Sequence, residues 1–219
     1  MSANRYDAVL FDLDGTLVDS IAGIAAAMNA ALNHFGFSPR GEDEFKGLIG
    51  EGLEVLVAKL VPSAVATDMV ANDLIRLFRE EYRHHWRYGT EIYPGVTELL
   101  NELTKRGVNL AVLSNKRDDF TRLIVAEYFS DWPFKIVRGA SNDCPRKPDP
   151  EGALRVAATL GIAPACVVYL GDSGIDMETA AAAGMLPVGV LWGYRDAEEL
   201  RTAGAQIVLR HPRELLEII

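Results

Sequence analysis

Two aspartates, Asp12 and Asp14, stand directly after the apolar run AVLF at residues 8 to 11, and Gly15 and Thr16 follow them. A short apolar run is typical of a buried strand, so we expect this strand to end in carboxylates. Acids in such a turn most often cap a helix or shape the turn. A carboxylate pair at a strand end can also divide nucleophilic and acid-base work, which is the chemistry of a two-step group transfer.

Further polar residues stand near the ends of the other apolar runs. Each has an ordinary structural explanation: Ser114 as an N-cap, Lys147 as a surface lysine, and the two later acids as residues of a helix's first turn. Ligands of an open parallel sheet, however, bind beyond the carboxyl ends of its strands, so the set as a whole indicates one site. Its members are Ser114, Asn115, Lys147, Asp172 and Asp176.

This combination of acids, a hydroxyl and a lysine fits phosphoryl transfer. A carboxylate can attack phosphorus and form an acyl phosphate, which divides one difficult displacement into two easier ones. Because a carboxylate and a phosphate ester repel one another, a divalent cation and nearby donors must offset their charge. Oxygen ligands without a His or Cys cluster favour Mg²⁺ over zinc. We therefore expect a Mg²⁺ cofactor and a small-molecule phosphate ester as substrate.

Short apolar runs predict the strands that carry these residues: AVLF (8 to 11), LAVL (110 to 113), a weaker FKIV (134 to 137), CVVYL (166 to 170) and PVGVLW (187 to 192). Residues with helical spacing fill the intervals, over 19 to 35, 95 to 106, 117 to 129, 150 to 160 and 174 to 183. Strands that alternate with helices predict an α/β fold, a Rossmann-like parallel sheet core with helices on both faces.

One long interval interrupts this alternation. Residues 19 to 88 show helical patterns and no convincing strand, and the stretch ANDLIRLFREEYRHHWRY places its apolar residues along one helix face. We expect an inserted all-helical cap domain over residues 17–90 and an α/β core domain formed by residues 1–16 and 91–219. The segment GLIGEGLEVL at 47 to 56 is either a glycine-rich substrate loop or a pair of helices joined by a turn.

Composition limits the classes of partner. The chain has 219 residues, 49% of them hydrophobic, and a formal net charge of −9 with scattered basic residues, so we expect no nucleic-acid partner. No apolar run approaches the roughly 20 residues of a membrane span, so we expect no membrane contact. Cys144 and Cys166 form no CxxC pair and no secretory leader precedes Tyr6, which favours reduced thiols and a cytoplasmic location. The composition is compatible with a monomer or a homodimer.

The segments that carry the candidate site residues resemble the motifs of the haloacid dehalogenase-like phosphohydrolase superfamily. FDLDGTLVDS is similar to its first motif, LSNK to its second, RKPDP to its third and GDSGID to its fourth. The match extends over nearly the whole chain, and the long insertion corresponds to the helical cap of that superfamily. The resemblance therefore implies a Mg²⁺-dependent phosphatase with a capped α/β core.

The resemblance also implies a role for each motif residue. Asp12 would be the nucleophile, and Asp14 would be the general acid and base. Ser114 and Lys147 would bind the phosphate, together with Asn115 through its backbone amide. The metal ligands would be Asp12, Asp14 through its backbone carbonyl, Asp172, and Asp176 either directly or through water.

Within the superfamily the chain resembles the phosphoglycolate phosphatase-like group, on the segments FDLDGTLVDS, GLIGEGLEVLV, IYPGV and VLWGYRD. This resemblance implies hydrolysis of 2-phosphoglycolate through a phospho-aspartate intermediate. Pyrophosphatases, sugar phosphatases and β-phosphoglucomutase-like phosphomutases share these features, and such a fold can also serve as a non-catalytic binding module. The core motifs thus predict the reaction, and the cap is expected to select the leaving group.

Overall fold

The structure is a computed structural model that describes residues 6–61 and 67–219. The chain forms two compact units, one helical and one of α/β type. The α/β unit consists of Met1–Val18 and Ile92–Ile219, and the helical unit consists of Asp19–Glu91. The sequence predicts a core domain of residues 1–16 and 91–219 and a cap domain of residues 17–90. This division also assigns the function of a cap to the helical unit, and it stays a prediction.

The α/β unit is built on a parallel sheet. In chain order the strands of the described residues are β1 (Ala8–Phe11), β2 (Val18–Asp19), β3 (Glu91–Ile92), β4 (Asn109–Arg117), β5 (Phe134–Ala140), β6 (Val167–Gly171), β7 (Leu186–Val190) and β8 (Ile207–Leu209). Six of them form one sheet in the order β5-β4-β1-β6-β7-β8, in which each described pairing is parallel. The two-residue strands β2 and β3 pair separately.

The order of the strands marks where a ligand should bind. From β1 the chain adds β4 and β5 on one side and then β6, β7 and β8 on the other. The direction of growth therefore reverses between β1 and β6. In open α/β sheets the crevice beyond the carboxyl ends of the strands at such a reversal is the usual binding site.

The helices of the helical unit are α1 (Ile21–His34), α2 (Glu42–Leu48), α3 (Leu53–Leu60) and α4 (Asp68–His85). The helices of the α/β unit pack around the sheet, as the sequence predicts, and they are α5 (Val96–Lys105), α6 (Asp118–Tyr128), α7 (Glu151–Leu160), α8 (Gly174–Ala182) and α9 (Ala197–Thr202). In the described part of the chain, none of these helices has the length and apolar character needed to cross a membrane. The predicted α/β fold with a parallel sheet is confirmed.

The core of the α/β unit is formed by alternate strand residues and two helices. Side chains of a strand point to opposite faces in turn, so every second residue of β1, β4 and β6 reaches the same face. Small residues of α7 and α8 pack against that face and allow a close approach. The buried cluster includes Ala8, Leu10, Ala111, Leu113, Val167, Tyr169, Ala153, Val156, Ala157 and Ala180.

The helical unit is held together by a close contact between α1 and α4. Gly23 lies in α1, and a Cβ atom at this position would be 2.5 Å from the backbone carbonyl oxygen of His85. Leu74 and Tyr82 of the predicted apolar face of α4 are buried, and so is Ile75, which the pattern does not place on that face. At position 23, only a residue without a side chain permits this spacing between α1 and α4.

The GLIGEGLEVL segment is a pair of helices joined by a turn. The helix α2 ends at Leu48 and α3 begins at Leu53. In the turn between them, Gly50 and Gly52 have φ angles of +115° and +98°, a backbone conformation that favours glycine. Gly50 and Gly52 are therefore favoured by the geometry of the turn, whereas Gly47 lies within α2.

Candidate active site

Two of the predicted acids lie side by side because β1 and β6 are neighbours in the sheet. Phe11, the last residue of β1, is in register with Leu170 of β6, and the Asp12 amide donates to the Leu170 carbonyl at 2.9 Å. Asp172 follows the last residue of β6. Asp12, Asp172 and Asp176 are buried, and one carboxylate oxygen from each lies within 4.8 Å of the others.

Lys147 is buried among these carboxylates. Its Nζ atom is 2.8 Å from Asp12 Oδ1 and 2.7 Å from Asp176 Oδ1. The backbone of Lys147 is held by the side chain of Asn115, which donates from Nδ2 to the Lys147 carbonyl at 3.0 Å and accepts from the Lys147 amide at 2.9 Å. The sequence predicts both residues in one site, but it does not predict that the Asn115 side chain positions Lys147. Ser114 is buried near the end of β4, the other neighbour of β1.

Asp176 has a structural role as well as a place in the acid cluster. It lies in the first turn of α8 and forms a capping box with Ser173, whose amide and hydroxyl donate to Asp176 Oδ2 at 3.1 and 2.6 Å. The other oxygen accepts from Lys147 and, at 3.4 Å, from the hydroxyl of Tyr169. Both carboxylate oxygens are thus engaged by the protein, so the helix-cap explanation holds together with the site explanation.

The electrostatics of the cluster fit a further cation. Burial raises the pKa of the Asp12 carboxyl to about 7 against the opposing charge of Lys147, and Asp176 adds to the rise. Burial also raises the pKa of Asp172 well above its usual value, with the charges of Asp12 and Asp176 adding to it. Although burial disfavours its charged form, the neighbouring acids hold the pKa of Lys147 well above its usual value. An all-oxygen cluster of this kind suits a hard divalent cation.

Asp172 is positioned by the turn after β1 and by the loop after β7. Its Oδ1 atom lies 3.4 Å from the hydroxyl of Thr16, and its Oδ2 atom accepts from the backbone amide of Tyr194 at 2.9 Å. The indole of Trp192 donates to the Thr16 carbonyl at 3.0 Å and ties the same loop to the turn. Trp192 and Tyr194 belong to the VLWGYRD segment, and apolar periodicity alone does not predict their contacts with the site.

Two glycines allow the backbone to approach Asp172 closely. Gly15 has a φ angle of +84°, and a Cβ atom there would lie 2.2 Å from Asp172 Oδ2. A Cβ atom at Gly193 would lie 2.2 Å from the Gly15 carbonyl oxygen and 2.4 Å from Asp172 Cβ. The β1 turn, the β7 loop and the acid therefore fit together only without these side chains.

Asp14 lies in a different environment from Asp12. Its carboxylate accepts from Lys116 Nζ at 2.8 Å on Oδ1 and 2.7 Å on Oδ2. Among the described residues, the converging acid group is formed by Asp12, Asp172 and Asp176, and the Asp14 carboxylate is outside it. Lys116 is the last residue of the LSNK segment, and the sequence motifs do not predict its contact with Asp14. Its place two residues after Ser114 in β4 is a usable signal, because alternate residues of a strand face the same way.

The fold and the site together define an enzyme of the phosphatase class, with a carboxylate cluster and a buried lysine at the reversal point of a parallel sheet. The family model described as haloacid dehalogenase-like hydrolase matches residues 9–190, and the chain belongs to this family.

Named relatives agree with this assignment. The chain is 32% identical over 212 residues to phosphoglycolate phosphatase 1 of Pseudomonas aeruginosa, covering 95% of this chain and 78% of the relative. It is also 32% identical over 232 residues to phosphoglycolate phosphatase of Escherichia coli K12, covering 95% of this chain and 90% of the relative. The solved structure of a predicted phosphoglycolate phosphatase from Haemophilus somnus is similar with a TM-score of 0.91 at 26% identity, covering 99% of each chain. The family and the enzyme class inferred from the motifs are confirmed.

The close approach at Gly193 leads to the first prediction. Gly193→Ala should displace the β7 loop or Asp172 and weaken the binding of a divalent cation by about tenfold or more, the usual effect of losing a partner of a metal ligand. Calorimetric titration with Mg²⁺ measures the change. Gly41→Ala is the matched control, since a Cβ atom at Gly41 meets nothing within 4 Å. Equal affinities in both variants would contradict the packing argument.

The raised pKa of Asp12 leads to the second prediction. With a pKa of about 7 in the metal-free protein, Asp12 is mostly protonated at pH 6 and mostly ionised at pH 8. A cation must displace that proton, so one such group should make the affinity for Mg²⁺ about tenfold weaker at pH 6 than at pH 8. Calorimetry in buffers of different ionisation enthalpy also counts the released protons. Affinity that is independent of pH, without proton release, would contradict this account.

Proposed function

We propose that the chain is a Mg²⁺-dependent phosphomonoester hydrolase that acts through a phospho-aspartate intermediate on Asp12. The observation that supports it best is the convergence of Asp12, Asp172 and Lys147, all buried, at the reversal point of the sheet. We favour 2-phosphoglycolate as the substrate, because two relatives that are 32% identical carry the name phosphoglycolate phosphatase.

In the first step an oxygen of Asp12 attacks phosphorus, and the bond between phosphorus and the leaving-group oxygen breaks. Asp14 gives its proton to that oxygen, so the product leaves as an alcohol. The Ser114 hydroxyl, the Asn115 backbone amide and Lys147 would donate to the other phosphate oxygens and stabilise their charge. The Asn115 side chain supports this arrangement, because it holds the backbone of Lys147.

In the second step Asp14, now ionised, accepts a proton from water while the water oxygen attacks phosphorus. The bond between phosphorus and Asp12 breaks, which releases inorganic phosphate and restores the Asp12 carboxylate. Asp14 is protonated again and the enzyme is ready for another turnover. One residue thus acts as acid in the first step and as base in the second.

The cation would be held by Asp12, Asp172 and the backbone carbonyl of Asp14. We propose that Asp176 acts through water, because both of its carboxylate oxygens are already engaged by Ser173 and Lys147. When bound, Mg²⁺ would supply positive charge that offsets the repulsion between the Asp12 carboxylate and the phosphate.

We propose that the helical unit acts as the cap that selects the leaving group and excludes water during the first step. The proposal is supported by the place of the helical unit in the chain, because it is inserted directly after the turn that carries Asp12 and Asp14.

The expected location is the cytoplasm, and the free thiols of Cys144 and Cys166 agree with this expectation. The expected partner is a small phosphate ester.

The substrate proposal is tested by phosphate release from 2-phosphoglycolate, several sugar phosphates, pyrophosphate and p-nitrophenyl phosphate, each with Mg²⁺ and with EDTA. We expect Mg²⁺-dependent release that strongly favours 2-phosphoglycolate. Release spread over sugar phosphates would keep the reaction and contradict the substrate. No release from any compound would contradict hydrolysis and favour a mutase or a binding module.

The nucleophile is tested on the best substrate of that panel. Asp12→Asn should lower kcat by about 10⁴-fold or more, since an amide of nearly the same volume cannot attack phosphorus. Asp131→Asn, at an exposed residue, is the matched control and should leave kcat unchanged. Circular dichroism should be the same for both variants, and retained activity in Asp12→Asn would contradict covalent catalysis.

A further inference from the structure

A second ion pair lies beside the acid cluster, and the reaction steps above leave its lysine without a role. Lys116 Nζ donates to both oxygens of Asp14, at 2.8 and 2.7 Å. The two side chains are 9% and 16% exposed, so little water competes with the contact. Charged contacts to both oxygens restrict the rotation of the carboxylate group.

The backbone of Lys116 is itself held firmly. Its amide donates to the Ser114 hydroxyl at 3.2 Å, and its carbonyl accepts from the Thr121 hydroxyl at 3.1 Å. A Cβ atom at Gly139 of β5 would lie 2.6 Å from the same carbonyl oxygen. Residues of β4, β5 and α6 therefore fix the point from which the Lys116 side chain extends to Asp14.

The two aspartates of the first turn are each paired with a different lysine. Asp12 contacts Lys147, which also contacts Asp176. Asp14 contacts Lys116 instead, and its carboxylate is not part of the converging acid group of the described residues. Asp12 therefore has a position suited to attack and cation binding, and the Asp14 carboxylate has a separate position that is suited to acid-base work.

We propose that Lys116 is the positioning residue for Asp14, and that it fixes the direction from which the Asp14 carboxyl group exchanges its proton. This inference rests on the proposed function. Lys116 gives up no proton and forms no bond to phosphorus. When Asp14 carries its proton, one oxygen still accepts from Lys116 and the other presents the proton to the leaving-group oxygen. When Asp14 is ionised, the same contact directs it toward the attacking water.

The first test is Lys116→Met, which removes the ammonium and keeps most of the side-chain length. On the best alkyl phosphate we expect kcat to fall by about 10²-fold, the scale of losing oriented acid-base catalysis, with KM changed less than about threefold. The first-turnover burst of p-nitrophenol should be nearly unchanged, because this leaving group needs little protonation. Lys116→Arg should restore most of the activity, since a guanidinium group also offers two donors to a carboxylate.

A double-mutant cycle separates positioning from structural damage. If Lys116 acts through Asp14, then Asp14→Asn with Lys116→Met should be no slower than Asp14→Asn alone. The double variant also avoids leaving a buried charge unpaired. Lys105→Met is the matched control, because Lys105 also contacts an acid, Glu102, but has a side chain that is 72% exposed. Its kcat should equal that of the wild type.

Three results would overturn the role of Lys116 in an active enzyme. The first is a Lys116→Met variant with unchanged kcat and unchanged KM. The second is an unchanged kcat with a raised KM, which would make Lys116 a direct phosphate ligand. The third is a loss in the double variant that equals the product of the two single losses. A wild-type protein that releases no phosphate from any compound would overturn the proposed function and this inference with it. The two failures are therefore distinguished by the activity of the wild type.

Discussion

The site depends on the crowding of carboxylates where β1 and β6 end side by side. Parallel pairing brings Asp12 and Asp172 to the same edge of the sheet, and burial there raises the pKa of both carboxyl groups. Since buried acids of like charge disfavour one another's ionisation, cations must be placed among them. Lys147 contacts two of the acids, and Lys116 contacts Asp14. The proposed divalent cation would offset the charge that remains, and a phosphate ester could then approach.

The backbone around the acids is arranged to keep this crowding fixed. The amides of Thr16, Leu17 and Val18 all donate to the Leu13 carbonyl, at 3.3, 2.9 and 3.1 Å, and this closes the turn after β1. Gly193 lets the β7 loop reach the same turn. Such a rigid frame suits a reaction whose acids and donors must not move apart, because the energetic benefit of preorganised charge is lost when its position varies. Under the proposed function the helical unit selects the substrate, so that selection can vary there while this backbone frame stays the same.

Much of the fold and part of the site follow from the sequence alone. The strands β1 and β6 are predictable because strands buried on both faces are continuous apolar runs, and the acids after them are predictable because parallel strands end at one edge. The strand β8, Ile207–Leu209, is too short to produce such a signal. The clamp of Asn115 on Lys147 and the pairing of Lys116 with Asp14 depend on the path of loops and the register of β4, which periodicity does not encode. The proposed function assigns selection of the leaving group to side chains of the helical unit, where no motif of the core applies.

The central claim is that Asp12 becomes phosphorylated during turnover, and chemical trapping tests it directly. An acyl phosphate is reduced by sodium borohydride, whereas a free carboxylate is not, so quenching the enzyme during turnover of its best substrate should convert the phosphorylated aspartate to homoserine. Fragmentation of the peptide that spans residues 8 to 20 then shows which aspartate reacted. We expect homoserine at position 12, and its formation should depend on substrate and Mg²⁺. Aspartate retained at position 12 in an actively turning-over enzyme, or homoserine at position 14 instead, would contradict it.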